Sequence, residues 1–162
     1  RSTQSRSSAA SDVYKRQVYD SDGIYTEEPK LGLVVQTADC MPILLSDKKR
    51  IGAIHSGWRG LKNNIVGKAI KKFDVKNLSI AIGPHAQSCC YEVKEDVKKY
   101  FNDYTELRDG MFFLNMSKVL KDLSEKEGFK VEVSSICTIC NSSYNSYREN
   151  KTTSRQFGVI WK

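Results

Sequence analysis

Long apolar runs are missing from this 162-residue sequence, and histidine is scarce, with only two residues. No stretch approaches the length of a signal-peptide core or a membrane-spanning helix, so the residues predict neither export nor a membrane partner. The five cysteines are an odd number, which argues against a complete disulfide framework. Together these features favour reduced thiols and a cytoplasmic protein.

Positive charge is in excess, but its distribution argues against a nucleic-acid partner. The formal net charge is +7, and residues 1–17 alone supply +3 of it. The other basic residues alternate with acidic ones, as in Lys94-Glu95-Asp96, which is typical of a solvated surface. We therefore expect no binding to nucleic acid.

The chain length and an apolar content of 40% predict one domain with its own core. Residues 1–17 differ from the rest, because they are serine-rich, weakly hydrophobic and without a period. We expect them to be a disordered leader or one foreign to the domain, and the abrupt start of the pattern at Val18 favours the second. The predicted domain is residues 18–162.

Strands and helices are mixed without strict alternation along the chain, which predicts an α+β fold. The polar linker at residues 46–50 indicates a hairpin between the strands on either side of it. The predicted strands are residues 24–26, 33–37, 43–45, 51–55, 78–82, 130–136 and 157–161. Helices are predicted from Leu61 to Phe73, from about Lys94 with Val97, Tyr100 and Phe101 inward, and from an N-cap at Asn115 to a stop at Gly128.

The chemistry concentrates in residues 33–60, where Cys40 and His55 each lie at the end of a predicted strand. If their strands pair as a hairpin, the thiol and the imidazole come within reach of each other. Such a pair suits Zn²⁺, or a cysteine nucleophile with a histidine base. The alternative is that each residue is structural, which is the commoner role of an isolated cysteine.

The segment that follows, residues 55–60 (HSGWRG), places an arginine beside His55 at the predicted start of a helix. Free backbone N–H groups and the Arg59 guanidinium would then converge on one point, which outlines a phosphate site. The alternative is a glycine-rich turn in which Trp58 packs into the core and Arg59 forms a salt bridge.

The other cysteines carry a weaker signal. Cys137 and Cys140 form a single C-x-x-C with no second pair in sequence, so structural thiols are expected there rather than a second metal site. Cys89 and Cys90 are adjacent, and we expect them to point in different directions and to pack. His85 follows a Gly-Pro pair and is expected to be an exposed loop histidine, with a place near Cys40 and His55 as the alternative.

Four ordered motifs now point to a family. Residues 37–42 (TADCMP) and 55–60 (HSGWRG) are followed by Ile82-Gly83-Pro84 with residues 89–93 (CCYEV), and by Cys137-Thr138 with residues 146–148 (SYR) and Arg155-Gln156. Together they closely resemble the laccase-domain family, also called polyphenol-oxidase-like or multicopper polyphenol oxidase proteins, whose members act as purine nucleoside phosphorylases. The resemblance runs from about Val18 to Trp161.

This resemblance implies a four-layer α/β/β/α sandwich of the cysteine-hydrolase-like type, with a zinc or sometimes a copper site. It also implies that a purine nucleoside (adenosine, inosine or methylthioadenosine) and phosphate are the partners, and that adenosine is deaminated as well. The family binds its metal with one cysteine and two histidines, of which Cys40 and His55 match two. The remaining histidine lies upstream in the family, and residues 1–17 contain none, so we expect weaker metal binding than in a three-ligand site.

The sequence therefore predicts a zinc-dependent purine nucleoside phosphorylase with Cys40, His55 and Arg59 as catalytic residues and Cys40 and His55 as metal ligands. A copper-dependent phenol oxidase is one alternative, although one cysteine and one histidine cannot supply the several copper centres that four-electron reduction of oxygen requires. An inactive fragment or scaffold of this fold and a metal-free cysteine hydrolase are the others.

Overall fold

The computed structural model describes residues 21–162, so the predicted leader, residues 1–17, lies outside the described residues. The described part is a mixed α/β fold with three sheets. Its strands are β1 (Gly23–Thr26), β2 (Gly32–Thr37), β3 (Met41–Ser46), β4 (Ile51–Ser56), β5 (Ser79–Ile82), β6 (Glu92–Val93), β7 (Thr105–Arg108), β8 (Met111–Leu114), β9 (Lys130–Val133) and β10 (Gln156–Trp161). Its helices are α1 (Trp58–Lys62), α2 (Ile65–Ile70), α3 (Glu95–Lys98), α4 (Met116–Glu127) and α5 (Tyr147–Asn150), with 3₁₀ turns at Val75–Asn77 and Asn102–Tyr104.

A five-stranded sheet in the order β1-β4-β3-β5-β9 forms the centre of the molecule. Its neighbouring strands run antiparallel except for β5 and β9, which are parallel. The β3–β4 pair is the hairpin that the linker at residues 46–50 predicted. Because side chains alternate across a strand, β4 divides its apolar residues between two cores, with Ile54 on one face and Ile51 and Ala53 on the other.

The larger core fills one face of this sheet. Ile43, Leu45 and Ile82 from the sheet meet Leu61 and Leu120 from the helices there. The opposite face is covered by the two-stranded β2–β10 sheet, whose inward residues belong to the smaller core. The main sheet is therefore packed on both sides, which fixes the ends of β3 and β4 in place.

The third sheet, β6-β8-β7, was not predicted. Its β7–β8 hairpin turns through Asp109 and Gly110, whose φ angles are 49° and 77°. Two successive residues with positive φ match the two-residue turns that favour Asp-Gly. The Asp-Gly pair between Thr105–Arg108 and Met111–Leu114 was the signal that could have revealed this hairpin.

The single helix predicted from Leu61 to Phe73 is wrong, because the chain forms two short helices there. The break falls at Asn63-Asn64, where Asn64 adopts a left-handed conformation with φ 54°. Its side-chain oxygen accepts a hydrogen bond from Gly67 N–H, so the residue begins α2 as an N-cap instead of continuing α1. The predicted apolar face is nevertheless the buried one, with Leu61, Val66 and Ile70 in the core.

Helix α4 follows its prediction at both ends. Asn115 accepts a hydrogen bond from Lys118 N–H at 3.0 Å, and Gly128 ends the helix with φ 81°. Other boundaries differ: the helix near Lys94 is one turn long, and the strand predicted over residues 130–136 ends at Val133. Tyr100, which was predicted to point inward, is 44% exposed.

Among residues 21–162, no helix is both long enough and apolar enough to cross a membrane.

Candidate functional site

Cys40 and His55 lie together at one end of the β3–β4 hairpin. Pro42 is the cross-strand partner of His55, and Met41 is that of Ser56, so Cys40 and Gly57 stand just beyond the last pair. A Cβ atom on Gly57 would come within 2.8 Å of the Cys40 sulfur. Glycine at position 57 therefore gives the thiol its space.

The imidazole of His55 interacts with two acidic partners. A hydrogen bond with the Cys40 side chain is the main cause that raises its pKa to about 9; burial opposes this, and the Asp22 carboxylate adds to it. Asp22 Oδ1 lies 3.1 Å from Nδ1 of the ring, and the backbone N–H of His55 donates to the backbone carbonyl of Asp22 at 2.8 Å. A carboxylate on one ring nitrogen orients the ring and leaves the other nitrogen for a ligand.

Asp39, next to Cys40, is buried and connects three segments of the chain. Its carboxylate accepts the Thr138 hydroxyl at 2.8 Å and the Arg148 backbone N–H at 2.6 Å, while its carbonyl accepts the Ala86 N–H at 2.9 Å. Asp39 also has a positive φ of 84°, which turns the chain between β2 and β3. The turn that carries Cys40 is thus held from outside by two other loops.

Tyr91 and Arg148 are further polar residues in the neighbourhood of Cys40. Burial, and then the charge of Cys40, raise the pKa of Tyr91 to about 12, against the opposing effect of Arg148. The Arg148 guanidinium lies 5.1 Å from the Tyr91 ring centre and donates to the Glu92 carbonyl at 2.9 Å. The edge around Cys40 thus holds a phenol and a guanidinium in addition to the imidazole.

Arg59 is exposed in the first turn of α1, four residues after His55. Its guanidinium stacks on Trp58 at 4.6 Å from the ring centre, and Trp58 packs against the larger core. Within residues 21–162 no ion pair engages Arg59, so the salt-bridge alternative finds no partner there. The guanidinium is therefore free to bind an anion.

His85 is not the exposed loop histidine that its Gly-Pro context predicted, since its side chain is fully buried. Burial lowers the pKa of His85, although Nδ1 lies 2.9 Å from the Gly83 carbonyl. Its backbone forms a bridge to Cys137, and Nε2 has no hydrogen-bond partner among the described residues. His85 therefore joins two loops as part of the interior.

The four remaining cysteines come together, contrary to the prediction that Cys89 and Cys90 point apart. The sulfur atoms of Cys89, Cys90, Cys137 and Cys140 all lie within 4.8 Å of one another. The prediction assumed a regular backbone, but Cys89 and Cys90 lie in a turn that opens with a Cys90 N–H to Gln87 carbonyl bond. The C-x-x-C pair of Cys137 and Cys140 thus lies beside a second thiol pair, the adjacent Cys89-Cys90.

Protonation differs among these thiols. Burial is the largest effect on Cys137, but backbone hydrogen bonds from Gln87, Cys140 and Ile139 outweigh it and lower its pKa to about 7. Burial raises the pKa of Cys89 and of Cys90. Cys137 is thus more readily deprotonated than Cys89 or Cys90.

Comparison with known proteins assigns the chain to a family. Residues 2–162 match the family described as multi-copper polyphenol oxidoreductase laccase. The chain belongs to this family. The resemblance based on the four motifs is therefore confirmed.

Curated relatives in the family carry the name purine nucleoside phosphorylase. One from Aquifex aeolicus is 35% identical in an alignment 145 positions long that covers 87% of this chain and 70% of the relative. Another from Clostridium acetobutylicum is 32% identical in an alignment 164 positions long that covers 91% of this chain and 69% of the relative.

Solved structures of the family share the fold. The crystal structure of a Neisseria meningitidis protein of the DUF152 family superposes with a TM-score of 0.80 at 27% identity, covering 88% of this chain and 64% of that protein. YlmD from Geobacillus stearothermophilus gives a TM-score of 0.79 at 26% identity, covering 87% and 60%. The chain thus spans about six-tenths of the length of these family structures.

Asp22, which lies 33 residues before His55, has no signal in the sequence. Thr138 belongs to a motif of the family, but its contact with Asp39, 99 residues earlier, was not predicted. The Asp-Cys dipeptide was the available signal for Asp39, since a carboxylate that follows a strand requires donors when it is buried. Both donors, Thr138 and Arg148, lie in motifs of the family, but nothing in the sequence indicates that they meet Asp39.

Proposed function

We propose that the edge formed by Cys40 and His55 is the reaction site of a zinc-dependent purine nucleoside phosphorylase, in which phosphate cleaves adenosine, inosine or methylthioadenosine to the base and a ribose 1-phosphate. The observation that carries this proposal is the thiol–imidazole pair at the end of the β3–β4 hairpin, in a chain whose relatives are named purine nucleoside phosphorylase. The same proposal includes adenosine deamination at this edge and the four-layer α/β/β/α arrangement of the cysteine-hydrolase-like type.

The donor set suits a borderline metal such as zinc. Cys40 would supply a thiolate and His55 the ring nitrogen that Asp22 leaves free, which is the arrangement that orients metal-binding histidines. Within residues 21–162, no third His, Cys, Asp or Glu joins Cys40 and His55 as a ligand group. When bound, the ion would supply Lewis-acid chemistry, polarising phosphate or water.

The chain's own residues have distinct tasks in this scheme. Arg59 holds the phosphate, because its guanidinium is always charged, is exposed and forms no ion pair among the described residues. In phosphorolysis a phosphate oxygen bonds to C1′ of the ribose while the C1′–N bond breaks, and the electron pair leaves with the base. Arg59 offsets the charge of the attacking phosphate, and Asp39 keeps the Cys40 turn in position.

The test is a phosphorolysis assay on the full chain supplied with Zn²⁺. Inosine and phosphate are incubated with the protein, and hypoxanthine and ribose 1-phosphate are measured. We expect product from the wild type. In Cys40→Ala the phosphorolysis activity should fall about 100-fold or more, since mutating even the outer partners of metal ligands costs about 10- to 100-fold in activity. We expect about a tenfold rise in the KM for phosphate in Arg59→Gln, the scale of one charged hydrogen bond.

Lys71→Gln is the matched control for Arg59→Gln, because it removes the same charge from an exposed position one helix away. It should leave the KM for phosphate unchanged. Absence of phosphorolysis in the wild type with Zn²⁺ would contradict the proposal. Activity that survives chelators would favour a metal-free cysteine hydrolase, and oxygen-dependent oxidation of a phenol would favour the copper oxidase.

A further inference from the structure

We infer that Cys89, Cys90, Cys137 and Cys140 form a tetrathiolate site for a structural Zn²⁺ ion, separate from Cys40 and His55. All four sulfur atoms lie within 4.8 Å of one another. A tetrahedron with Zn–S bonds of about 2.3 Å separates its sulfur atoms by about 3.8 Å. The Cys89 and Cys140 sulfur atoms are 3.8 Å apart, so the cluster needs little rearrangement to close around the ion.

Two turns present the ligands. Cys89 and Cys90 lie in the turn after β5, and Cys140 lies in the turn at residues 138–140 after β9. Because β5 and β9 are parallel neighbours, the two turns leave the same edge of the main sheet. The backbone bridge between His85 and Cys137 joins them further, so the ligands are held in place by the fold and not by the ion alone.

Hydrogen bonds to sulfur are already formed. The Gln87 N–H donates to the Cys137 sulfur at 3.4 Å, and outer partners of this kind orient metal ligands. Four thiolates and one Zn²⁺ carry a net charge of −2, which needs a nearby positive group. The Arg108 guanidinium is the nearby cation: it donates a hydrogen bond to the Ser88 carbonyl, one residue before Cys89, and is also paired with Glu106 at 3.7 Å.

A disulfide is the competing use of these thiols. All four are free, and the 3.8 Å between Cys89 and Cys140 is well beyond the bond length of about 2.05 Å. Two disulfides would also pull four sulfur atoms into two separate pairs. The observed grouping of all four is what a single tetrahedral ion requires.

The ion would act as a clamp on the Cys40 turn. The loop before Cys89 holds the Asp39 carbonyl through Ala86 N–H, and the residue after Cys137 holds the Asp39 carboxylate through Thr138 Oγ1. Zinc bound to Cys89, Cys90, Cys137 and Cys140 would therefore fix both loops against the segment that carries Cys40. Binding would release the thiol protons and stabilise the folded state.

The experiment measures metal, not catalysis, so that its result stands apart from the proposed function. The full chain, purified under reducing conditions and treated with chelator, is titrated with Co²⁺, whose tetrahedral thiolate complexes give near-ultraviolet charge-transfer bands and strong visible bands. Zinc per chain is measured in parallel on untreated protein. We expect the tetrathiolate spectrum and the cluster zinc to persist in Cys40→Ala/His55→Ala and to disappear in Cys89→Ser/Cys140→Ser.

Cys89 and Cys140 are chosen because both are exposed, so that serine there disturbs little packing. The wild-type titration tests the site without a substitution, so its result does not depend on whether the double mutant folds. Loss of the thiolate spectrum in Cys40→Ala/His55→Ala would overturn the inference. Wild-type protein that contains disulfides among the four cysteines and no zinc would overturn it as well. Cluster zinc without phosphorolysis would refute only the proposed function.

Discussion

The His55 imidazole owes its properties to its immediate neighbours. Cys40 and Asp22 both favour the charged ring, and together they outweigh the burial that disfavours it. In metal-free protein the ring is therefore protonated at neutral pH. A metal ion must displace that proton, so metal binding at this edge should tighten as the pH rises.

Replacing Cys40 should lower the pKa of His55, because the hydrogen bond that the ring N–H donates to the Cys40 sulfur is the largest cause of its rise to about 9. In Cys40→Ala the ring should titrate closer to the ordinary value of about 6.5. The chain has only two histidines, so the NMR titration of chelator-treated protein is simple to assign. Cys140→Ser is the thiol-matched control and should leave the titration of His55 unchanged.

An unchanged His55 titration in Cys40→Ala would mean that Asp22 alone sets the charge of the ring. The thiol and the imidazole would then not act as a pair, and the basis of the proposed metal site would be lost.

At the scale of elements, the site depends on loops that hold one another. The turn between β2 and β3 carries Asp39 and Cys40, and its carboxylate accepts from Thr138 and Arg148. Both donors belong to the segment between β9 and β10. The buried Asp39 carboxylate thus connects these loops through side-chain hydrogen bonds.

Asp39→Asn should destabilise the protein by about 1–3 kcal/mol, because the new amide N–H₂ must face one of two donors and leave it unpaired. Denaturant unfolding measures the loss. The control is Asp109→Asn, an exposed turn residue with φ 49°, where asparagine is well accepted and little change is expected. Equal midpoints for Asp39→Asn and wild type would show that the carboxylate does not hold the loops.

Elements with local signals could be predicted from the sequence. The N-cap at Asn115 and the stop at Gly128 lie at the two ends of the helix they define, and the linker at residues 46–50 lies within its hairpin. The break at Asn64 also has a local cause, but it was not predicted, because the apolar period of residues 61–73 continues across the break. Periodicity reports the buried face and not the continuity of the backbone.

The cysteine cluster could not be predicted in the same way. Its two thiol pairs are about 50 residues apart, and only the parallel pairing of β5 with β9 brings their turns together. The chain between β5 and β9 forms the β6-β8-β7 sheet and α4, and the sequence does not show how these elements are arranged in space. The proximity of Cys40 and His55 could be predicted, because the two residues lie on adjacent strands of one hairpin.

For the whole molecule, the two histidines give the stability of the metal-free chain opposite dependences on pH. His55 has a raised pKa, so its contribution is complete below its ordinary value of 6.5 and is lost as the pH rises to about 9. His85 has a lowered pKa, so the unfolded chain takes up its proton first, and stability is lost as the pH falls below 6.5. The groups that face His55 are Cys40 and Asp22, whereas His85 meets the Gly83 carbonyl and Gln87.

We therefore predict that unfolding free energy, measured by denaturant titration of chelator-treated protein, has two limbs that separate mutations can remove. His55→Gln should flatten the alkaline limb between about pH 6.5 and 9, leaving the acid limb intact. His85→Gln should flatten the limb below pH 6.5, whatever its constant cost from altered packing, because that cost does not vary with pH. Cys137 has a lowered pKa and opposes the alkaline limb equally in every variant, so differences between variants cancel it. If His55→Gln and wild type keep the same slope from pH 6.5 to 9, the imidazole is not held in its charged form by the fold, and the site loses the electrostatic pairing on which its metal exchange depends.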